Sequence, residues 1–186
     1  MRSLLWVAIM GLCSTPLQAA SPQGFSFAHK DWELACDNTG TCRAAGYGTA
    51  MGEVSVLLTR NAGAAQHVIA VATFAQTERD IPPDATVNLL IDDQDSGSLE
   101  VVDESHFRFD DTQTAALIQA LEHNGKIELA LNGERKTLSG AGSSAVFLKM
   151  DEFQQRLGTA DALLRQGDAG DDNILSAAPA PEIIAA

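Results

Sequence analysis

The sequence predicts an α+β fold: mainly an antiparallel β sandwich or barrel, with two covering helices and one hairpin disulfide. Three observations predict it. Short strand-like runs separated by turn signals fill the chain from Phe25 to about Phe109, the pattern of a sandwich or barrel. The apolar period then changes to helical twice, on either side of an Asn132-Gly133 hairpin signal. Cys36 and Cys42 flank Asp37-Asn38-Thr39-Gly40, which is strong turn chemistry.

The first twenty residues read as a secretory signal peptide. A basic start at Arg2 leads into the apolar run Leu4 to Leu12, and Pro16-Leu17-Gln18-Ala19-Ala20 offers a small-residue cleavage site after Ala19 or Ala20. The run is shorter than the roughly 20 apolar residues that span a bilayer. Bulky Leu12 before Cys13 disfavours lipid attachment, so Cys13 leaves with the signal. Export of this kind predicts a periplasmic location, and no later segment is apolar enough for a stable membrane span.

Two cysteines remain, and in an oxidising compartment a disulfide is the default pairing. Closing a loop of about seven residues is worth about 2.4 kcal/mol on chain-entropy grounds. The spacing is not the Cys-x-x-Cys of redox proteins, and no further soft ligands lie near enough for zinc.

Strands are expected at 54–60, 68–74, 86–92, 98–103 and 106–109, with Asn61-Ala62-Gly63 and Pro82-Pro83 as breaks. Asp111-Thr112 can cap a helix carrying Leu117, Ile118 and Leu121, stopped at Asn124-Gly125. Residues 127–131 and 135–138 form the two arms of the Asn132-Gly133 hairpin. A second helix starts at Ser143 or Ser144, with Val146, Phe147, Met150, Phe153 and Leu157 as its stripe and Gly158 as its stop. Residues 160–165 add a further turn or two. The domain is expected to span 21–167, and 168–186 reads as a flexible Ala/Pro/acidic tail.

The chain carries 25 acidic and 12 basic side chains, a net charge of −13 over 186 residues. Losing Arg2 with the signal leaves 11 basic residues and a charge of −14. Nucleic acid is thereby disfavoured as a partner, because binding it needs a basic surface. Asp92-Asp93-Gln94-Asp95-Ser96-Gly97 resembles a calcium loop, but Asp103 stands where a bidentate Glu is needed and the flanks are strands. A solvated acidic turn fits better. Gly140-Ala141-Gly142-Ser143-Ser144-Ala145 has the glycine spacing of a dinucleotide fingerprint without its βαβ setting; a flexible turn with a serine cap fits better. His29, His67, His106 and His123 show no metal-ligand spacing, and no Gly-x-Ser-x-Gly elbow is present. No catalytic residue, metal or cofactor is therefore assigned. Trp32, Arg60, Arg108 and Arg156 are the candidate binding-surface residues, with packing the better reading for Trp32.

The stretch Lys30-Asp31-Trp32-Glu33-Leu34-Ala35-Cys36-Asp37-Asn38, then Thr41-Cys42-Arg43-Ala44-Ala45-Gly46-Tyr47, resembles the opening of a bacterial family catalogued as domain of unknown function 1176. The likeness continues at Leu138-Ser139-Gly140-Ala141, at Met150-Asp151, through Gln155-Arg156-Leu157-Gly158-Thr159 and at Ala162-Leu163-Leu164. A weaker likeness, on the early Trp and Cys and on Leu138-Ser139-Gly140, is to the invasion-associated locus B family of envelope proteins. That likeness implies a β-rich body with one or two covering helices. Neither resemblance implies catalytic residues. The reading reached is an exported periplasmic, non-catalytic binding or interaction module, its partner an envelope protein or glycan. Two alternatives stand beside it: an inhibitor of a basic envelope hydrolase such as lysozyme, and a carboxylate-dependent hydrolase.

Overall fold

A computed structural model describes residues 23–50, 53–74 and 85–178. The signal peptide, Cys13, the Pro82-Pro83 break and the tail beyond Ala178 lie outside the described residues.

Two antiparallel sheets make a sandwich; neither closes into a barrel. The larger sheet has seven strands. They are β1 (Phe25–His29), β2 (Trp32–Cys36), β3 (Cys42–Tyr47), β4 (Val54–Arg60), β5 (Ile69–Phe74), β8 (Glu100–Val101) and β9 (His106–Arg108), in the order β1-β2-β3-β4-β5-β9-β8. The smaller has β6 (Val87–Ile91), β7 (Gln94–Ser98), β10 (Ile127–Leu131) and β11 (Glu134–Leu138), in the order β11-β10-β6-β7. Period-2 alternation puts Trp32, Leu34, Cys42, Ala44, Val56, Leu58, Ala70 and Ala72 on the buried face of the large sheet. Helix α2 (Ser143–Phe153) packs on β1, β2 and β3, and α1 (Asp111–Glu122) packs on β5, β6 and β10. The outer face of the large sheet stays open, leaving Tyr47, Leu57 and Ile69 exposed.

The hairpin disulfide is present between Cys36 and Cys42, directly opposed residues of β2 and β3. In its turn, Asp37 accepts hydrogen bonds from the Thr39 and Thr41 amides, from the Thr39 hydroxyl and from Arg43. Burial alone would raise the Asp37 pKa, but these bonds outweigh it and hold the carboxyl below its ordinary 3.8. Asp37 therefore stabilises the fold above pH 3.8, and that contribution is lost as pH falls through the lower folded value. Asp37→Asn is expected to flatten the acid limb of the stability profile in thermal melts, and an unchanged limb would contradict this. Reduction, or the Cys36→Ser/Cys42→Ser pair, is expected to cost about 2.4 kcal/mol in urea melts.

Helix α1 begins one residue earlier than the sequence suggested. Asp110 is the cap, because its side chain accepts from the Gln113 amide while Gln113 bonds back to the Asp110 amide. Helix α2 is capped by Gly142 rather than by a serine, and the Ser143 hydroxyl instead donates to the Gly140 carbonyl. Gly142 has φ 101°, and a Cβ there would overlap the His29 carbonyl oxygen. Gly142→Ala is expected to cost about 2 kcal/mol, from the left-handed backbone and the clash together, read as a lowered urea midpoint with unchanged slope.

Helix α2 stops at Phe153, with Leu157 exposed and Gln155 at φ 58°. Residues 160–165 form turns and no helix. The reason is a competing set of partners: Asp151 draws Leu164 in, and Arg156 turns back to bond the Asp151 carbonyl. The segment that reads as a flexible tail has partners as far as Ala178. A 3-10 turn at Asp171–Asn173 leads to buried Ile174, and the Leu175 amide donates to the Gln154 carbonyl.

Candidate functional site

Two buried joints tie the large sheet to α2 and its flanking segments, and the second reaches the candidate site through Arg60. The first ties β2 to the loop before α2. Trp32, 1% exposed, donates from Nε1 to the Ser139 carbonyl at 2.7 Å and meets Phe147 edge-on at 5.4 Å. Gly46, opposite Trp32 in β3, leaves room for the indole: a Cβ there would strike the ring. Asp31 accepts from the Ser139 hydroxyl at 2.5 Å, and its amide donates to the Ala141 carbonyl. Trp32 is thus a core residue packed on Phe147 and Gly46, with no surface to offer a ligand.

The second joint is polar. Val54, Val56, Leu58 and Arg60 share the inner face of β4, so the strand's alternation carries an arginine into the core. Arg60 is 1% exposed and pairs with Asp151, fully buried on α2, at 2.6 Å. Its Nε donates to Gln154 Oε1 at 2.6 Å, and its Nη1 to the Asp161 carbonyl at 3.3 Å. Gln154 then donates to the Gly40, Arg60 and Asn61 carbonyls. The other Asp151 oxygen accepts the Leu164 amide at 3.0 Å. One carboxylate therefore holds both the sheet and the 160–166 turns to α2. Burial, the largest influence, lowers the Arg60 pKa, and the charge and hydrogen bond of Asp151 oppose it.

Arg156 joins this cluster from the chain just past α2. It is fully buried and donates from Nη2 to the Gly63 carbonyl, and its Nη1 lies 3.6 Å from Asp161. Its Nε and Nη1 make no hydrogen bond among the described residues. Arg108 stands elsewhere, half-exposed on the open face of the sheet, 3.9 Å from Glu100. The structure brings Arg60 and Arg156 together and leaves Trp32 and Arg108 apart from them. The sequence signal for Arg60 was its phase: a charged residue continuing an apolar strand's inner row requires a buried partner.

Above Arg60 opens a cleft of about 660 Å³. One wall is α1, through Thr114, Ala115, Ile118 and Gln119. The other walls are residues 66–68, which lead into β5, and residues 160–166. Apolar Val68, Ile118 and Leu163 line it together with Arg60, Arg165 and Asp161, and with Asp111 and Glu122 at the two ends of α1. A second, shallower trough on the open sheet face is floored by Ala28, Ala35 and Ala45 and lacks any buried polar group. The cleft is the better candidate because it combines concavity, apolar walls and a few polar groups, the usual makeup of a ligand site.

One further grouping resembles catalytic machinery in composition alone. Ser105, His106 and Asp103 lie together between β8 and β9, but Ser105 Oγ and Asp103 Oδ1 both approach the same ring nitrogen, Nδ1, at 3.2 and 2.7 Å. A nucleophile relay needs the hydroxyl on one ring nitrogen and the carboxylate on the other. Asp103 also accepts the Ser105 and His106 amides, as a turn-forming aspartate does. The Asp92–Gly97 stretch forms a turn and strand β7. Among the described residues no group of three or more His, Cys, Asp or Glu side chains is arranged to hold a metal ion, and no helix is long and apolar enough to cross a membrane.

Comparison with known proteins gives a family without an assigned activity. The family described as "Protein of unknown function (DUF1176)" matches residues 26–186. The uncharacterized protein YpfG of Escherichia coli (strain K12) is 30% identical over 183 residues, covering 92% of this chain and 49% of that protein. The chain thus spans about half the length of this curated relative. No solved structure matches it. Of the stretches on which the sequence resembles this family, Trp32 and Ser139 fall in the first buried joint, and Asp151 and Arg156 in the second.

Proposed function

Taking as premise that the chain belongs to the DUF1176 family of proteins of unknown function, we propose that it is an exported, periplasmic binding module whose ligand site is the cleft between α1 and residues 160–166. The signal-like leader motivates the location. The cleft carries the binding reading, for Arg60 and the wall of residues 160–166 are fixed by buried bonds to Asp151 and Gln154 before any ligand arrives, and a preorganised site loses less entropy on binding. Its polar groups suit recognition: Arg60 is committed to Asp151 and Gln154, and Gln66, Thr114 and Gln119 offer hydrogen bonds along the walls.

The test is native mass spectrometry of the protein after incubation with the small-molecule fraction of a periplasmic extract. Wild type is expected to carry a bound mass that is recovered chemically unchanged. Ala115→Trp, which fills the cleft from an exposed helix position, is expected to lose it. A bound mass retained by Ala115→Trp would move the site elsewhere, and recovery of an altered molecule would make the protein an enzyme.

A further inference from the structure

The charges around the cleft are unevenly distributed, and this bears on the class of ligand, given the cleft as the binding site. The Arg165 side chain lines the cleft, is exposed, and makes no hydrogen bond or ion pair among the described residues, while its backbone carbonyl accepts the Gly158 amide. Among the other basic side chains of the described surface, Arg43, Arg108, Lys126, Arg135, Lys136 and Lys149 each have a carboxylate within 4 Å, and Lys30, which has none, does not line the cleft. Behind the same wall lies Arg156, fully buried, with Nε and Nη1 unbonded. Its 3.6 Å approach to Asp161 is a charge contact too long for a hydrogen bond. On this side, then, three cations (Arg60, Arg156 and Arg165) face two carboxylates, Asp151 and Asp161. The acids of the opposite wall, Asp111 and Glu122, sit at the two ends of α1, about 16 Å apart by helical rise. Between them the helix presents Ala115 and Ile118, which carry no charge.

We propose that the cleft binds a small organic anion, a carboxylate or phosphate ester on an apolar body. The anionic group pairs with Arg165 on the cationic wall, and the apolar body lies against Val68, Ile118 and Leu163. An unpaired arginine beside apolar walls is the arrangement that recognises such a head group, because its planar fork matches both carboxylate and phosphate oxygens.

Four probes of similar size separate the possibilities: benzoate, phenyl phosphate, benzyl alcohol and benzylammonium, each titrated at matched ionic strength and followed by amide chemical shifts. Benzoate or phenyl phosphate is expected to shift Ala115, Ile118 and Ala162 saturably, and to bind about tenfold or more tighter than benzyl alcohol, the worth of one charge-assisted hydrogen bond. The tighter of the two anions identifies the head group. Arg165→Gln alters only an exposed side chain without internal bonds and leaves the backbone bond to Gly158 in place, so it is expected to keep the fold and remove the preference for anions. Equal or tighter binding of benzyl alcohol or benzylammonium in the cleft would overturn the anion inference while leaving the cleft as a binding site. Absence of any shift with all four probes would overturn it too, and the Ala115→Trp comparison would then decide the cleft on its own.

Discussion

Asp151→Ala is expected to destabilise the protein by about 3–5 kcal/mol, the usual consequence of leaving a buried charge without its partner. Arg60 would stay fully buried with its Nη2 unpaired, and the Leu164 amide would lose its acceptor. Asp151→Asn is expected to cost less, since an amide oxygen can still accept from Arg60 while the charge goes unmatched. The double replacement Asp151→Leu/Arg60→Met removes both charges, and apolar substitutes for a buried pair are often tolerated. It is expected to recover much of the loss. Urea melts of the three variants measure this. If Asp151→Ala cost under about 1 kcal/mol, the range of an exposed pair, the buried joint would not be what holds α2 to the sheet.

Trp32→Ala is expected to cost about 3–5 kcal/mol, through loss of buried apolar area and the cavity left behind. The Ser139 carbonyl also loses its indole donor in a site closed to water. Trp32→Phe separates the two effects: it keeps most of the packing on Phe147 and removes only the donor, an expected loss of about 1–3 kcal/mol. Gly46→Ala tests the same contact from the other strand, because its Cβ would displace the indole. Thermal and urea melts read all three. If Trp32→Ala were neutral, the β2 joint would be incidental to the fold.

The elements readable from sequence were those whose local chemistry is self-contained. Asp37-Asn38-Thr39-Gly40 forms its turn between paired cysteines. Asn132 and Gly133 take the left-handed φ values of 49° and 86° that a type I′ turn requires, and Leu117 and Leu121 are the buried stripe of α1. What local pattern could not give was strand β7 in the acidic stretch after Ile91. It is an edge strand with mostly exposed side chains, so it leaves no alternation to read. The end of α2 was also hidden. Phe153 and Leu157 are in helical phase, but the Leu164 amide donating to Asp151 and the Gln154 side chain donating to the Gly40 carbonyl decide where the helix stops. The cleft was least legible, because it draws on residue 60, residues 66–68, α1 and residues 160–166. Nothing in any one of these segments signals a site. Only Arg60 was marked in advance, and its role proved to be a buried anchor with one edge on the cleft.

The proposed ligand site is this cleft, in which Arg60 and the wall of residues 160–166 are held by Asp151 and Gln154. Amide chemical shifts of the isotopically labelled protein, recorded with and without the small-molecule fraction of a periplasmic extract, test it most directly. The prediction is saturable shifts confined to residues 66–68, α1 and residues 160–166, and absent in Ala115→Trp. Shifts centred on Ala35, Ala45 and Leu57 of the open sheet face, or shifts that persist in Ala115→Trp, would contradict it.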